Sequence, residues 1–199
     1  MAEINRMVDA GGFLKACNTT GTAGQGLTEA AFTWQLSGAL RNDLDRRGLG
    51  VVMTRSDNDG WGPCIDARGQ VAVSNHAAAL VSIHGDGAAA GGHGFHVIYP
   101  APGKAVSAAD AEASAALAAV VRDELVAAGF TPSTYAGRNG LIQRSDLGTL
   151  NRAEVPAVMI ECGNMRNASD LAAMSSPSSQ QRMAAAIAAA TARWVTGSG

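Results

Sequence analysis

Residues 77–87 read AAALVSIHGDG, an apolar run that stops at Ser82-Ile83-His84 and turns on Gly85-Asp86-Gly87. A buried strand that delivers a histidine at its C-terminal tip, followed by glycines that turn the chain, is how open α/β sheets present active-site groups. A second run has the same shape: Pro156 introduces the apolar residues 157–160, which end in Glu161-Cys162-Gly163-Asn164. Residues 51–54 and 95–99 read as further short strands, the latter stopped by Pro100 and Pro102.

Helical patterns separate these runs. Thr28 can cap a helix reaching about Arg47, with Phe32, Leu36, Leu40 and Leu44 as its core stripe and Gly48 as its stop. Residues 64–77, 105–128 and 178–196 fit three more helices. Residues 1–26 read as an irregular N-terminal segment, 130–152 as mostly loop, and 197–199 (GSG) as a tag scar. Alternating helices and short apolar strands predict a single α/β domain over 1–199. Its sheet is expected to be mostly parallel and twisted, with helices on both faces.

Composition removes several functions. The net charge of −2 gives no electrostatic case for nucleic acid or an anionic membrane. No apolar run approaches the roughly 20 residues that span a bilayer. MAEINRMVDAGGF has neither the basic nor the apolar region of a signal peptide. Cysteine usage nevertheless points to an oxidising compartment. Cys17 and Cys64 lie in loop-like sequence and read as a disulfide closing a loop of roughly 48 residues, worth about 4 kcal/mol in the chain-entropy model. Two unpaired loop cysteines are the alternative. Cys162 follows an apolar strand and reads as a packed thiol, and a monomer is the default.

Three ionisable groups sit where burial demands a partner or a task. His84 and Glu161 follow apolar strands, and parallel strand tips share one sheet edge. Glu29 opens the first helix on its apolar face, and helix starts after βα loops face that same edge. Each has a bland reading: a backbone-bonded histidine, a carboxylate on a helix dipole, and a carboxylate paired with Arg144, Arg152 or Arg166. Together they suit a hydrolase in which a histidine and a carboxylate hold zinc and a second carboxylate is the general base. The loop GDGAAAGGHG precedes a strand rather than a helix, so it is no phosphate cradle. His76 closes a helix and reads as structural. His93 and His96 are spare histidines near the same edge.

These segments resemble the zinc-dependent N-acetylmuramoyl-L-alanine amidases of the Amidase_3 family, most of all the small, single-domain, exported cell-wall members. Leu27-Thr28-Glu29 is similar to the segment that supplies the family's glutamate ligand. Ser82-Ile83-His84-Gly85-Asp86 is similar to its S-x-H-A-[ND] motif. Residues 156–164 with Asn167 are similar to its P-A-x-L-x-E-x-G-F-x-x-N block, and CNTTGT and GPCIDAR match paired cysteines of the small exported members. The resemblance implies Glu29 and His84 as zinc ligands and Glu161 as general base. It also implies a peptidoglycan or muropeptide substrate, cleavage between the lactyl group of N-acetylmuramic acid and L-alanine, and a site of action in the periplasm or cell wall.

One departure accompanies it. The family's first ligand is a histidine in a D-x-G-H-type segment that ends its first strand. This sequence begins just downstream of where that segment belongs, and no histidine occurs before position 76. The sheet is therefore expected to lack that strand, and His93 or His96 would have to complete the ligand set. The alternative function is a catalytically impaired homologue that binds or regulates peptidoglycan.

Overall fold

The computed structural model describes residues 3–197. Two short antiparallel ladders come first, β1 (Met7–Asp9) with β2 (Leu14–Ala16) and β3 (Ala23–Gly24) with β4 (Leu27–Thr28). Then follow α1 (Glu29–Arg46), α2 (Ile65–Ser74), β5 (Leu80–Asp86), β6 (His96–Pro100) and α3 (Ala108–Ala127). The chain continues through β7 (Leu141–Arg144), α4 (Gly148–Asn151), β8 (Ala157–Asn164), α5 (Ala168–Ser175) and α6 (Pro177–Thr196). The central sheet has the order β5-β8-β6-β7. β5–β8 and β6–β7 are parallel, while β6 runs antiparallel to β8. The sheet is thus mixed, and the antiparallel step lies between its two middle strands.

The register sorts side chains into rows. On one face Val81, Ile83, Val158, Ile160 and Val97 pack with α1, α3 and α6 in the main core. On the other face Ser82, Met159 and Ile98 form one row, and His84, Glu161 and His96 form the next toward the C-terminal ends of β5 and β8. Leu150 and Ala153, from α4 and the turn after it, cover the apolar part of this second face. The polar row lies beyond that cover.

Local sequence explains the helices that set these positions. The Thr28 side chain accepts the Ala31 N–H, and Phe32, Leu36, Leu40 and Leu44 face inward along α1. In α2 the packing needs Gly69: a Cβ there would lie 2.6 Å from the Thr149 carbonyl oxygen and 2.8 Å from the Arg152 backbone. α6 begins on Ser176 with Pro177 in its first turn and closes on Gly197 at φ 66°.

Several expectations are corrected. Within the segment expected to be irregular, 1–26, the described residues 3–26 carry the β1–β2 ladder and β3, whose partner β4 follows it. They are stitched down by a Cys17–Cys64 disulfide and by Asn151, whose Nδ2 donates to the Ala10 and Ser145 carbonyls at 2.9 and 2.8 Å. The region 130–152 contains β7 and α4. Residues 51–54, expected as a strand, form none among the described residues. They face a cavity of about 560 Å³, lined also by Leu40, Leu44 and the outer side of β5. A strand needs a neighbour about 4.8 Å away, and the cavity separates 51–54 from β5. Of the GSG ending, Ser198 and Gly199 lie outside the described residues.

Candidate active site

Three elements converge on His84. β5 carries it to the sheet end, where its Nδ1 lies 2.9 Å from Glu29 Oε1 and its Nε2 lies 3.1 Å from Ser82 Oγ. α1 presents Glu29 from its first residue, where the helix N-terminus favours a carboxylate. Glu29 Oε2 accepts the Thr22 N–H at 3.0 Å. The turn before Thr22 approaches closely because residue 21 is glycine, at φ 72°; a Cβ there would sit 2.7 Å from Glu29 Oε2. Burial works against ionised Glu29, but the hydrogen bond and charge of His84 and the backbone N–H donors overcome it and hold the carboxyl below its usual range. Burial likewise works against protonated His84, but the Glu29 bond and the charges of Glu161 and Glu29 raise it.

Glu161 stands beside His84 in the β5–β8 register. It has no salt bridge among the described residues. Arg144 is instead committed to Asp146 at 2.6 Å and Arg152 to Asp9 at 3.4 Å. The buried Oε2 of Glu161 has no hydrogen-bond partner. Burial first, then the negative charges of Asp86 and Glu29, outweigh His84 and Arg144 and push its carboxyl up to about 7. A carboxylate and a near-neutral carboxyl thus stand on either side of one imidazole, the separation that lets two carboxyls take different roles.

The remaining candidates fall elsewhere. Cys162 is a buried free thiol whose Sγ–H points to the Ile160 carbonyl at 3.7 Å, and burial pushes its pKa up, so it packs rather than attacks. His76 is exposed just past α2. His93 belongs to the loop clasped to Thr134. His96 lies opposite Glu161 on β6. Neither histidine joins Glu29 and His84. Among the described residues, no group of three or more His, Cys, Asp or Glu is arranged to hold a metal.

Two further residues shape this end of the sheet. The ring of Tyr135 meets His96 edge-on at 5.8 Å, over Gly92, where a Cβ would strike the ring at 2.7 Å. Tyr135 lies in an aperiodic loop, so no pattern marks it. Asn164 fastens the glycine-rich loop, donating from Nδ2 to the Ala89 and Gly92 carbonyls at 2.8 Å each, and Asn167 Nδ2 adds a bond to the Ala90 carbonyl at 2.8 Å. Its signal was visible, a buried strand ending in a polar amide.

Comparison with known proteins places this geometry. The family model described as N-acetylmuramoyl-L-alanine amidase, Amidase_3, matches residues 7–193. The N-acetylmuramoyl-L-alanine amidase Rv3717 of Mycobacterium tuberculosis is 39% identical over 188 residues, 94% of this chain and 77% of that protein. The crystal structure of the amidase Ami1 from Mycobacterium smegmatis superposes with a TM-score of 0.95 at 41% identity, covering 99% of this chain and 91% of that one. The apo form of Ami1 from Mycobacterium abscessus gives 0.93 at 44% identity, covering 98% and 92%. The family match and these relatives define a cell-wall hydrolase, a peptidoglycan amidase. The chain belongs to the Amidase_3 family of N-acetylmuramoyl-L-alanine amidases. Identity at this level over most of the chain favours the enzyme over a non-catalytic homologue.

Proposed function

We propose that Glu161 is the general base of this amidase and that Glu29 and His84 are protein ligands of a zinc ion. The scissile bond is the amide between the lactyl group of N-acetylmuramic acid and L-alanine. The observation that carries the reading is the row His84–Glu161 with Glu29 bonded to His84: a paired carboxylate–imidazole beside a buried, unpaired carboxyl. Carboxylate and imidazole are donor types that zinc takes, but a tetrahedral catalytic site normally uses three protein ligands and the described residues bring two together. When bound, zinc polarises a carbonyl and acidifies water.

The chain's own residues do the rest. Glu161, with a carboxyl raised to about 7, is matched to accept a proton from attacking water near neutral pH and to return it to the departing L-alanine nitrogen. Glu29 and Ser82 hold the two ring nitrogens of His84, and a zinc ion would take one of them in place of its present partner. The disulfide supports work in an oxidising compartment such as the periplasm or cell wall. Residues 1–199 are taken as one catalytic domain acting as a monomer. Mass spectrometry of muropeptides after incubation tests the reaction: free stem peptides are expected, whereas cuts inside the peptide indicate a peptidase.

A further inference from the structure

We propose that His96 is the positioning residue for Glu161, its Nδ1–H holding the carboxylate's Oε2 directly or through one water so that Oε1 is left for the reaction. The inference rests on the reading of Glu161 as base. It starts from register. His96 on β6 is the direct antiparallel partner of Glu161 on β8, so both side chains project from the same sheet face with Cβ atoms about 4.5–5.5 Å apart. His84 flanks Glu161 from the other side. Glu29 engages His84; among the described residues no hydrogen bond engages His96 Nδ1.

The second observation is an accounting of buried polar atoms. His96 Nδ1 and Glu161 Oε2 are both buried without a hydrogen-bond partner, and His96 is only 4% exposed. Each such atom is costly to leave unsatisfied. The two lie on adjacent side chains of one row and are complementary, because a bare carboxylate oxygen accepts and an imidazole N–H donates. Burial keeps His96 neutral by lowering its pKa, so the ring has one proton to place.

The third observation fixes the ring. Tyr135 meets it at an interplanar angle of 89°, which leaves the imidazole plane little freedom. The Tyr135 hydroxyl is itself buried, faces Asp86 and lies in the field of Glu161, which makes it a second donor beside the row. Arg144 and Asp86 are the charged groups that act on His96, and Arg144 is already paired with Asp146.

The test compares two amides. In His96→Asn the side-chain amide falls where Nδ1 was; in His96→Gln it is displaced by a methylene, although glutamine fills the space better. With muropeptide substrate, His96→Gln and His96→Phe are expected to lose about 10–100-fold in kcat with KM within about twofold, and His96→Asn to recover most of the loss. Glu161→Gln is run alongside. If it stays active, the base reading falls. If it is dead while His96→Gln equals His96→Asn, or the loss lies in KM, the positioning role alone is overturned. A readout independent of turnover is the ¹⁵N imidazole spectrum at about pH 8, where a Glu161 carboxyl near 7 is ionised. His96 is expected as the Nδ1–H tautomer with resonances displaced by Glu161→Ala. An Nε2–H tautomer indifferent to Glu161→Ala overturns the inference.

Discussion

Glu29 and His84, fifty-five positions apart, meet at 2.9 Å between Oε1 and Nδ1, and the contact joins the start of α1 to the end of β5. It brings together the two residues proposed as zinc ligands. If both hold zinc, Glu29→Ala and His84→Ala should each lower its affinity by at least about tenfold. Titration calorimetry measures this, and unchanged affinity and stoichiometry in both variants would remove Glu29 and His84 from the ligand role. Chelation should abolish turnover.

Glu161→Gln separates base from ligand. Turnover should fall by about 10²–10⁴ while zinc content stays at the wild-type level. Loss of metal together with activity would show that Glu161 coordinates.

Protonation of Glu161 gives a pH signature. Its carboxyl rises from 4.5 to about 7 on folding, so the activity carried by its ionised form should grow with pH and level off above about 7. The stability term runs the opposite way. A raised carboxyl favours the folded state most fully below its unfolded pKa, and the benefit is lost as pH climbs through the folded one. The change between the two is roughly 3 kcal/mol. Metal-free Glu161→Gln should therefore gain on the wild type in thermal melts between pH 4.5 and 7. A constant difference across that window would refute the burial that raises the group.

Reducing the Cys17–Cys64 bridge, 47 positions apart, should cost about 4 kcal/mol in the chain-entropy account, read from urea melts with and without reductant. Hydrogen exchange should quicken first at the Ile65 N–H, which donates to the Cys17 carbonyl at 2.9 Å.

Gly69→Ala probes the contact between α2 and α4. The obstructing atoms are backbone, so they cannot swing away, and the substitution should cost about 1–3 kcal/mol in denaturant melts.

The parts legible in the sequence are those where an apolar segment carries an out-of-place charge. His84 and Glu161 announced themselves at strand ends, and Glu29 did so on the stripe of Phe32 and Leu36. The reversed direction of β6 was not legible, because periodicity locates a strand without giving its heading. β1 to β4 are two or three residues long, too short for any alternation to register. Residues 51–54 have a strand's composition, but strand structure depends on a neighbour that composition does not encode. α5 was missed because its residues, ASDLAAMS, carry little apolar pattern, although Asn167 caps it through the Ser169 and Asp170 N–H groups.

The bonds from Asn164 and Asn167 tie three carbonyls of the glycine-rich loop to the end of β8 and the turn after it. Swinging that loop outward would break all three at once and strip the buried amide of Asn164 of its partners. One strand, β8, thus anchors the loop and carries Glu161.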